Sequence, residues 1–327
     1  MKKKISIILR FGISFGLLFF LFWKMKGDIT GIWGVLAGCE PFYLGISALL
    51  LMCNILLLSY RLKIIFRGEN LDINFRESSS LTVMGYFFNN FMPTAVGGDI
   101  IKAYIASIKN KQRLQSYASV MMDRFIGLYS FLVVAAVALF IDSGRVESPL
   151  VKPLVMALIG IGSAGFVIVI NKRIAEFVER FFEKVKLLRI GEKINAVYSI
   201  VQDYRNRKKL VIEAFLVSLL SQIFFFLVIH MFFLSLDSPI SIGNIFLIMP
   251  VVTFISMVPS LGGLGVREGA IVALFMPLAG KEVSFAVSLL LLSAFLCVSI
   301  VGGVIFLFSG NSKLRMPPGE EDVPEAV

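Results

Sequence analysis

The sequence predicts an all-α polytopic membrane protein: six full spans and two re-entrant hairpins in an inverted repeat, counted as up to eight transmembrane helices. Three observations predict it. Hydrophobic residues make up 57% of the 327 and charged residues 17%, with a mean hydropathy of +0.85. A soluble domain carries roughly 45–50% apolar and about 25% charged residues, so this chain lacks the polar surface to coat a water-soluble body. The basic residues gather between alternate apolar runs. Two Pro/Gly-broken stretches stand at matching places in the two halves, MPTAVGGDIIK (92–102) and VPSLGGLGVRE (258–268).

The same arithmetic excludes other classes. A net charge of +10 scattered between apolar runs orients a chain in a membrane and is not a nucleic-acid face. Three cysteines, Cys39, Cys53 and Cys297, give neither a disulfide framework nor a metal-ligand spacing, so no metal or other cofactor is expected. Cys53 and Cys297 read as small core residues. The single histidine, His230, reads as packed or hydrogen-bonded rather than as a ligand or proton relay.

A full span needs about 20 residues at 1.5 Å each. The first lies in the start of the chain, MKKKISIILRFGISFGLLFFLFW (1–23), read as a retained helix. It has the basic head of a signal peptide, but no small-residue cleavage site, and Lys24 and Lys26 follow it. Spans at 41–60, 125–141, 153–170, 214–236 and 283–309 meet the length criterion. Orientation comes from charge. The N-terminus carries Lys2, Lys3, Lys4 and Arg10; residues 99–113 have a net charge of +3 and residues 171–209 a net charge of +6. Residues 24–41 and 142–152 are neutral and 237–243 carries −1. The basic loops face the cytoplasm, which fixes a multi-pass protein of the inner (cytoplasmic) membrane with both termini cytoplasmic.

That orientation holds only if 78–98 enters from the cytoplasm and returns to it. Its breakers are Asn89, Asn90, Pro93, Gly97 and Gly98. The run 238–280 is treated alike: its second arm, 269–280, spans roughly 18 Å as a helix and is too short to cross. Pro250, Pro259, Gly262, Gly263 and Gly265 interrupt its approach. The membrane domain is then 1–310, in halves 1–147 and 148–310 of opposite orientation, with a flexible acidic tail at 311–327. Residues 171–209 form an amphipathic cytoplasmic segment that suits an anionic lipid surface or a cytosolic lipid-modifying enzyme as partner.

Interrupted segments at matching positions of inverted halves point to a transporter's binding site. Helices are expected to start near Asp99 and near Val266, each offering free N–H groups and a partial positive charge to a phosphate or carboxylate. Lys102, Arg124 and Arg267 attract the phosphate; Asp99, Asp123 and Glu268 orient those cations or meet a headgroup amine. Gly97, Gly98, Gly262, Gly263 and Gly265 let the backbone approach the headgroup. Asn90, Pro93 and Pro259 complete the expected set, and Arg124 is expected to be satisfied by its neighbour Asp123 or by interfacial water. No catalytic nucleophile is evident and no ATP motif exists.

The run NNFMPTAVGGDIIKAY (89–104), the element MMDRFIGL (121–128) and VPSLGGLGVREGA (258–270) resemble the flippase-like integral-membrane domain of lysylphosphatidylglycerol synthases, over about residues 5–310. Where the family pattern has Arg, this chain has Lys102, which keeps charge but loses a bidentate fork. The resemblance implies a stand-alone member lacking the cytosolic aminoacyltransferase domain. It also implies translocation of an anionic or zwitterionic lipid headgroup, aminoacyl-phosphatidylglycerol included, between leaflets. The alternatives are a membrane subunit of a phosphatidylglycerol lysyltransferase-type enzyme and a scaffold for a cytosolic one.

Overall fold

The computed structural model describes Gly16, residues 29–92, 97–141, 151–170, Tyr204, and residues 207–258 and 263–308. The expected first span apart from Gly16, most of 171–209, the tail, and Pro93, Pro259 and Gly262 lie outside the described residues. Every regular element among the described residues is helical: α1 Ile29–Ala37, α2 Pro41–Gly68, α3 Phe75–Phe91, α4 Gly97–Asn110, α5 Arg113–Ile141, α6 Val151–Ile170, α7 Lys208–Ser235, α8 Ile242–Ile255 and α9 Val266–Phe308. The helices α2, α5, α7 and α9 are long and apolar enough to cross a membrane.

Two corrections to the expected boundaries share one cause. The helix expected to end at Tyr60 runs on to Gly68, and the helix expected to begin at Phe125 begins at Arg113. Apolar runs stop at the first charge, but a helix continues wherever that charge finds a partner or water. Asp123 and Arg124 therefore sit about three turns inside α5 rather than at its entrance. The neutral stretch 24–41, expected to be a connection, contains α1, which packs against α9. Cys297, expected in the core, is exposed on α9.

The elements recur at a nearly constant offset. The helices α2 and α7 are each 28 residues long and start 167 positions apart. Each ends in the same turn. Leu71 N donates to Phe66 O and Ser238 N to Phe233 O, around Asn70 (φ 55°) and Asp237 (φ 51°). This is a Schellman-type closure, with Asn and Asp tolerating the left-handed position. Four residues after Asn70 and Asp237, Asn74 and Ser241 cap α3 and α8; Asn74 forms a full capping box with Glu77. A second pair of left-handed residues, Lys111 (φ 54°) and Gly280 (φ 77°), separates each hairpin's second arm from the long helix that follows. Gly280 thus divides α9 into a short arm and a long one.

The helices α2 and α7 form the most extensive pairing, and they run antiparallel. Glu40 N meets Ser235 O at 2.8 Å, Asn54 meets Ser221, and Arg67 meets Glu213 at 3.0 Å. Around this axis each hairpin leans on the long helix of the other half: α3 on the long arm of α9, α8 on α5. Gly302 and Gly303 make the first of these possible, since a side chain at Gly302 would overlap the backbone of Val83.

The first hairpin closes on itself. At its open end Lys109 Nζ lies 2.7 Å from both carboxylate oxygens of Glu77, and Asp72 N donates to Asn110 Oδ1 at 2.8 Å. At its tip Gly98 N donates to Asn89 Oδ1 at 2.8 Å, and Gly98 lies so close to Gly85 O that any side chain would overlap it. The basic residue Lys109 therefore stands at the same end of the molecule as the start of α3.

Candidate functional site

A cavity of about 360 Å³ lies between the two hairpins and the α2–α7 pair, within the range typical of small-ligand sites. It is lined by the mid-helix residues Asn54 and Ser221, the fourteenth of 28 in their helices, and by side chains from both hairpins and from α5. Its polar wall carries Arg61, Asn89, Asp99, Lys102, Asp123, Arg124 and Arg267; its apolar wall includes Leu58, Leu128, Phe131, Phe225 and Phe295.

Arg61 was not among the residues singled out by sequence; it directly follows the apolar run 41–60. It is only 6% exposed. Its Nε and Nη2 donate to the two oxygens of Asp123 at 2.7 and 3.0 Å, and its Nη1 donates to Ser218 Oγ at 2.7 Å. Behind it Ser218, Ser130 and Gln222 continue the hydrogen-bonded chain. The guanidinium fits against Gly127, where an added Cβ would lie 3.0 Å from Nη1. A planar fork on a carboxylate is the geometry Arg supplies and Lys does not. No local pattern points to it, because its partner Asp123 lies 62 positions away on another helix.

Asp123 is therefore held by Arg61, and Arg124 pairs with Asp99, not with its chain neighbour Asp123. Successive residues on a helix point about 100° apart, so Asp123 and Arg124 face different neighbours. Asp99, in the first turn of α4, also takes Lys102 Nζ at 3.3 Å. One carboxylate is thus shared by two cations. Lys102 reaches it by laying its stem over Gly85, where a Cβ would lie 2.5 Å from Lys102 Cε.

In the second hairpin Arg267 is 8% exposed and Glu268 fully buried. Nε and Nη2 of Arg267 donate to Glu268 Oε1 at 3.1 and 2.6 Å, while Glu268 Oε2 accepts from Gly265 N at 2.6 Å. Glu268 so ties the arginine to the turn formed by Gly263 (φ 84°) and Gly265 (φ 80°), a backbone that glycine adopts without strain. The Arg267 guanidinium lies over the Phe295 ring, 4.7 Å from its centre, a further cation–π stabilisation. Arg267 faces the cavity; Glu268 stands behind it.

The remaining expected residues divide. Gly263 lines the cavity, Gly97 is buried at the start of α4, and Gly98 serves the helix–helix approach at the hairpin tip rather than the cavity. Asn90 turns away and donates to Ser299 Oγ at 2.6 Å; its neighbour Asn89 is the one that lines the cavity. His230 lies outside the cavity, and its buried Nδ1 has no hydrogen-bond partner among the described residues. Among the described residues no group of His, Cys, Asp and Glu could hold a metal.

The family described as "Lysylphosphatidylglycerol synthase TM region" matches residues 7–303. Two curated relatives are similar over most of their length. A UPF0104 membrane protein of Methanothermobacter thermautotrophicus is 24% identical over 84% of this chain and 87% of its own. A UPF0104 membrane protein of Methanocaldococcus jannaschii is 23% identical over 84% of this chain and 86% of its own. No solved structure matches.

Proposed function

The chain belongs to the lysylphosphatidylglycerol synthase transmembrane-region family, and from that premise we propose that it translocates an anionic or zwitterionic phospholipid headgroup between leaflets. The observation that carries this reading is the convergence of Arg61, Lys102, Arg124 and Arg267 on one cavity level with the middle of α2 and α7. A charged headgroup crossing bare hydrocarbon faces an idealised cost of order 20 kcal/mol. A polar cavity halfway along supplies ion pairs and hydrogen bonds in place of water, while the apolar wall receives the glycerol end.

The orientation follows the charge asymmetry. Lys109, Arg113 and Arg207 stand at the end of the bundle where α2 stops and α7 starts, and this end is cytoplasmic under the positive-inside rule. Residues 78–98 then enter from the cytoplasm, and 238–280 from outside. With the expected first span and α6, the count is six spans and two re-entrant hairpins, in the inner membrane with cytoplasmic termini. Alternating access in such an arrangement is a rocking of one half against the other about the α2–α7 axis. With no ATP motif, transport is passive or driven by an ion or lipid gradient. The synthase-subunit reading is less favoured, because Asp99, Asp123 and Glu268 are each engaged by a cation and none stands ready as a general base.

The test is reconstitution in vesicles holding a headgroup-labelled phospholipid, with leaflet-selective chemical quenching. The protein should speed exchange, and Arg124→Ala with Arg267→Ala should lose most of it at equal incorporation. Undiminished exchange in that double variant would sink the reading.

A further inference from the structure

Tyr86 stands three residues before the run 89–104 and lines the cavity from the first hairpin. Its place is set from α9. Ser299, fully buried, donates to Tyr86 O at 3.2 Å and accepts from Asn90 Nδ2 at 2.6 Å, so one hydroxyl ties two successive turns of α3. One turn away on α9 is Phe295, and the Tyr86 ring lies tilted against it, 5.5 Å between centres. Phe225 stacks almost parallel to Phe295 at 6.1 Å. The Arg267 guanidinium lies over the same Phe295 ring. A tyrosine of the first hairpin and an arginine of the second thus share one aromatic platform.

Two polar atoms on this platform are left over. Nε and Nη2 of Arg267 donate to Glu268, but Arg267 Nη1 and the Tyr86 hydroxyl have no hydrogen-bond partner among the described residues. Both side chains line the cavity, and neither atom is sealed from it. A tyrosine hydroxyl in a protein interior ordinarily finds a partner. The fields of Arg61 and Arg267 both reach this one. Positive charge near the oxygen favours donation of its proton to an anionic acceptor.

We propose that Tyr86 is a further substrate-binding residue: its hydroxyl and Arg267 Nη1 donate to phosphate oxygens of the lipid, whose phosphate bridges the two hairpins. This inference rests on the translocation reading and deepens it, since it fixes which part of the lipid sits here. An O–H donor beside a guanidinium matches the acceptor-only oxygens of a phosphodiester. A headgroup amine fits badly. Arg267 Nη1 has only protons to offer it, and the Phe295 ring that could hold a cation already carries Arg267.

Tyr86→Phe removes the hydroxyl and keeps the ring on Phe295, so it tests the donor without disturbing the packing. The purified full chain in an uncharged detergent is titrated with short-chain phosphatidylglycerol, short-chain phosphatidylethanolamine and the acyl-free glycerophosphoglycerol, and thermal stability is recorded alongside. Tyr86→Phe should weaken both phospholipids by the same factor, about tenfold, the scale of a hydrogen bond to a charged group. Thermal stability should not change. In an Arg267→Gln background the same substitution should cost less, because the two donors hold one phosphate. Unchanged phospholipid binding in Tyr86→Phe, a loss confined to one of the two headgroups, a fall in thermal stability, or losses that simply add in the double variant would overturn the contact. Equal binding of glycerophosphoglycerol and phosphatidylglycerol would make the ligand a soluble phosphodiester and overturn the lipid assignment. Vesicle exchange that Tyr86→Phe leaves at full speed would defeat this inference and leave translocation standing; the expected binding losses without exchange by the unaltered chain would do the reverse.

Discussion

Asn54 and Ser221 occupy the same place in the two halves of the chain and bond to each other: Asn54 Nδ2 donates to the backbone carbonyl of Ser221 at 2.8 Å and to its hydroxyl at 2.9 Å. Equivalent residues can meet face to face only if the helices that carry them are related by an axis passing between them. The fourteenth residue of α2 and the fourteenth of α7 mark where that axis crosses the bundle. Everything that recurs 167 to 169 positions on, the turns at Asn70 and Asp237 and the breaks at Lys111 and Gly280, is arranged about this contact.

Asn54→Ala should cost about 0.6 kcal/mol and no more than about 1.7, the average and the upper end for side-chain hydrogen bonds between membrane helices. Ser221→Ala should cost less, because its backbone carbonyl remains as acceptor. Denaturant unfolding in detergent measures both, and a Ser221→Ala loss larger than that of Asn54→Ala would contradict the assigned donor.

Breaking the Arg61–Asp123 pair from one side leaves a buried charge. Arg61→Met or Asp123→Leu should each cost about 3–5 kcal/mol. The double replacement should cost clearly less than the two singles together, since it leaves no orphan charge. Additive losses in a double-mutant cycle would mean that the pair is not coupled.

Three glycines should respond differently to alanine. Gly98→Ala meets the rigid backbone carbonyl of Gly85 and should reduce the amount of folded protein. Gly85→Ala meets only the flexible end of Lys102 and should fold while displacing that cation from the cavity. Gly127→Ala crowds the Arg61 guanidinium by a few tenths of an ångström and should fall between them. Yield and thermal stability set against headgroup exchange separate the three; a well-folded Gly98→Ala would refute the close approach.

Glu268 has two tasks, to hold Arg267 and to accept from Gly265 N. Glu268→Gln keeps an acceptor for one of them, so it should retain more folded protein than Glu268→Leu while losing most exchange. Equal yields for the two would show that the turn does not depend on that acceptor.

The Glu77–Lys109 contact places the two ends of the first hairpin side by side. In a chain cleared of Cys39, Cys53 and Cys297, single cysteines at 77 and 109 should be labelled from the same side of the membrane, and a cysteine at 241 from the opposite side. Labelling of 77 and 109 from opposite sides would mean that the segment crosses.

Composition and charge spacing by themselves determined that this chain is helical, apolar and basic in alternate loops. The glycine pairs marked two helix starts, since those expected near Asp99 and Val266 stand at Gly97 and Val266, whereas Pro250, expected to interrupt the second hairpin, lies inside α8. Those signals are local, since a missing N–H or a permitted φ acts on the residue that carries it. Which charges pair was decided only by the tertiary structure. Arg61 and Asp123 lie 62 positions apart, and Asp99 and Arg124 lie 25 apart. Nothing near either member names its partner, because an ion pair depends on where two helices bring their faces together. The reading that joined Arg124 to Asp123 used proximity along the chain, and the roughly 100° turn between successive helical residues separates them. Asn89 was told from Asn90 by the same rotation: one faces the cavity and the other Ser299. The sharing of Asp99 by Lys102 and Arg124 is likewise a property of the packed bundle, visible only once α4 and α5 are brought together.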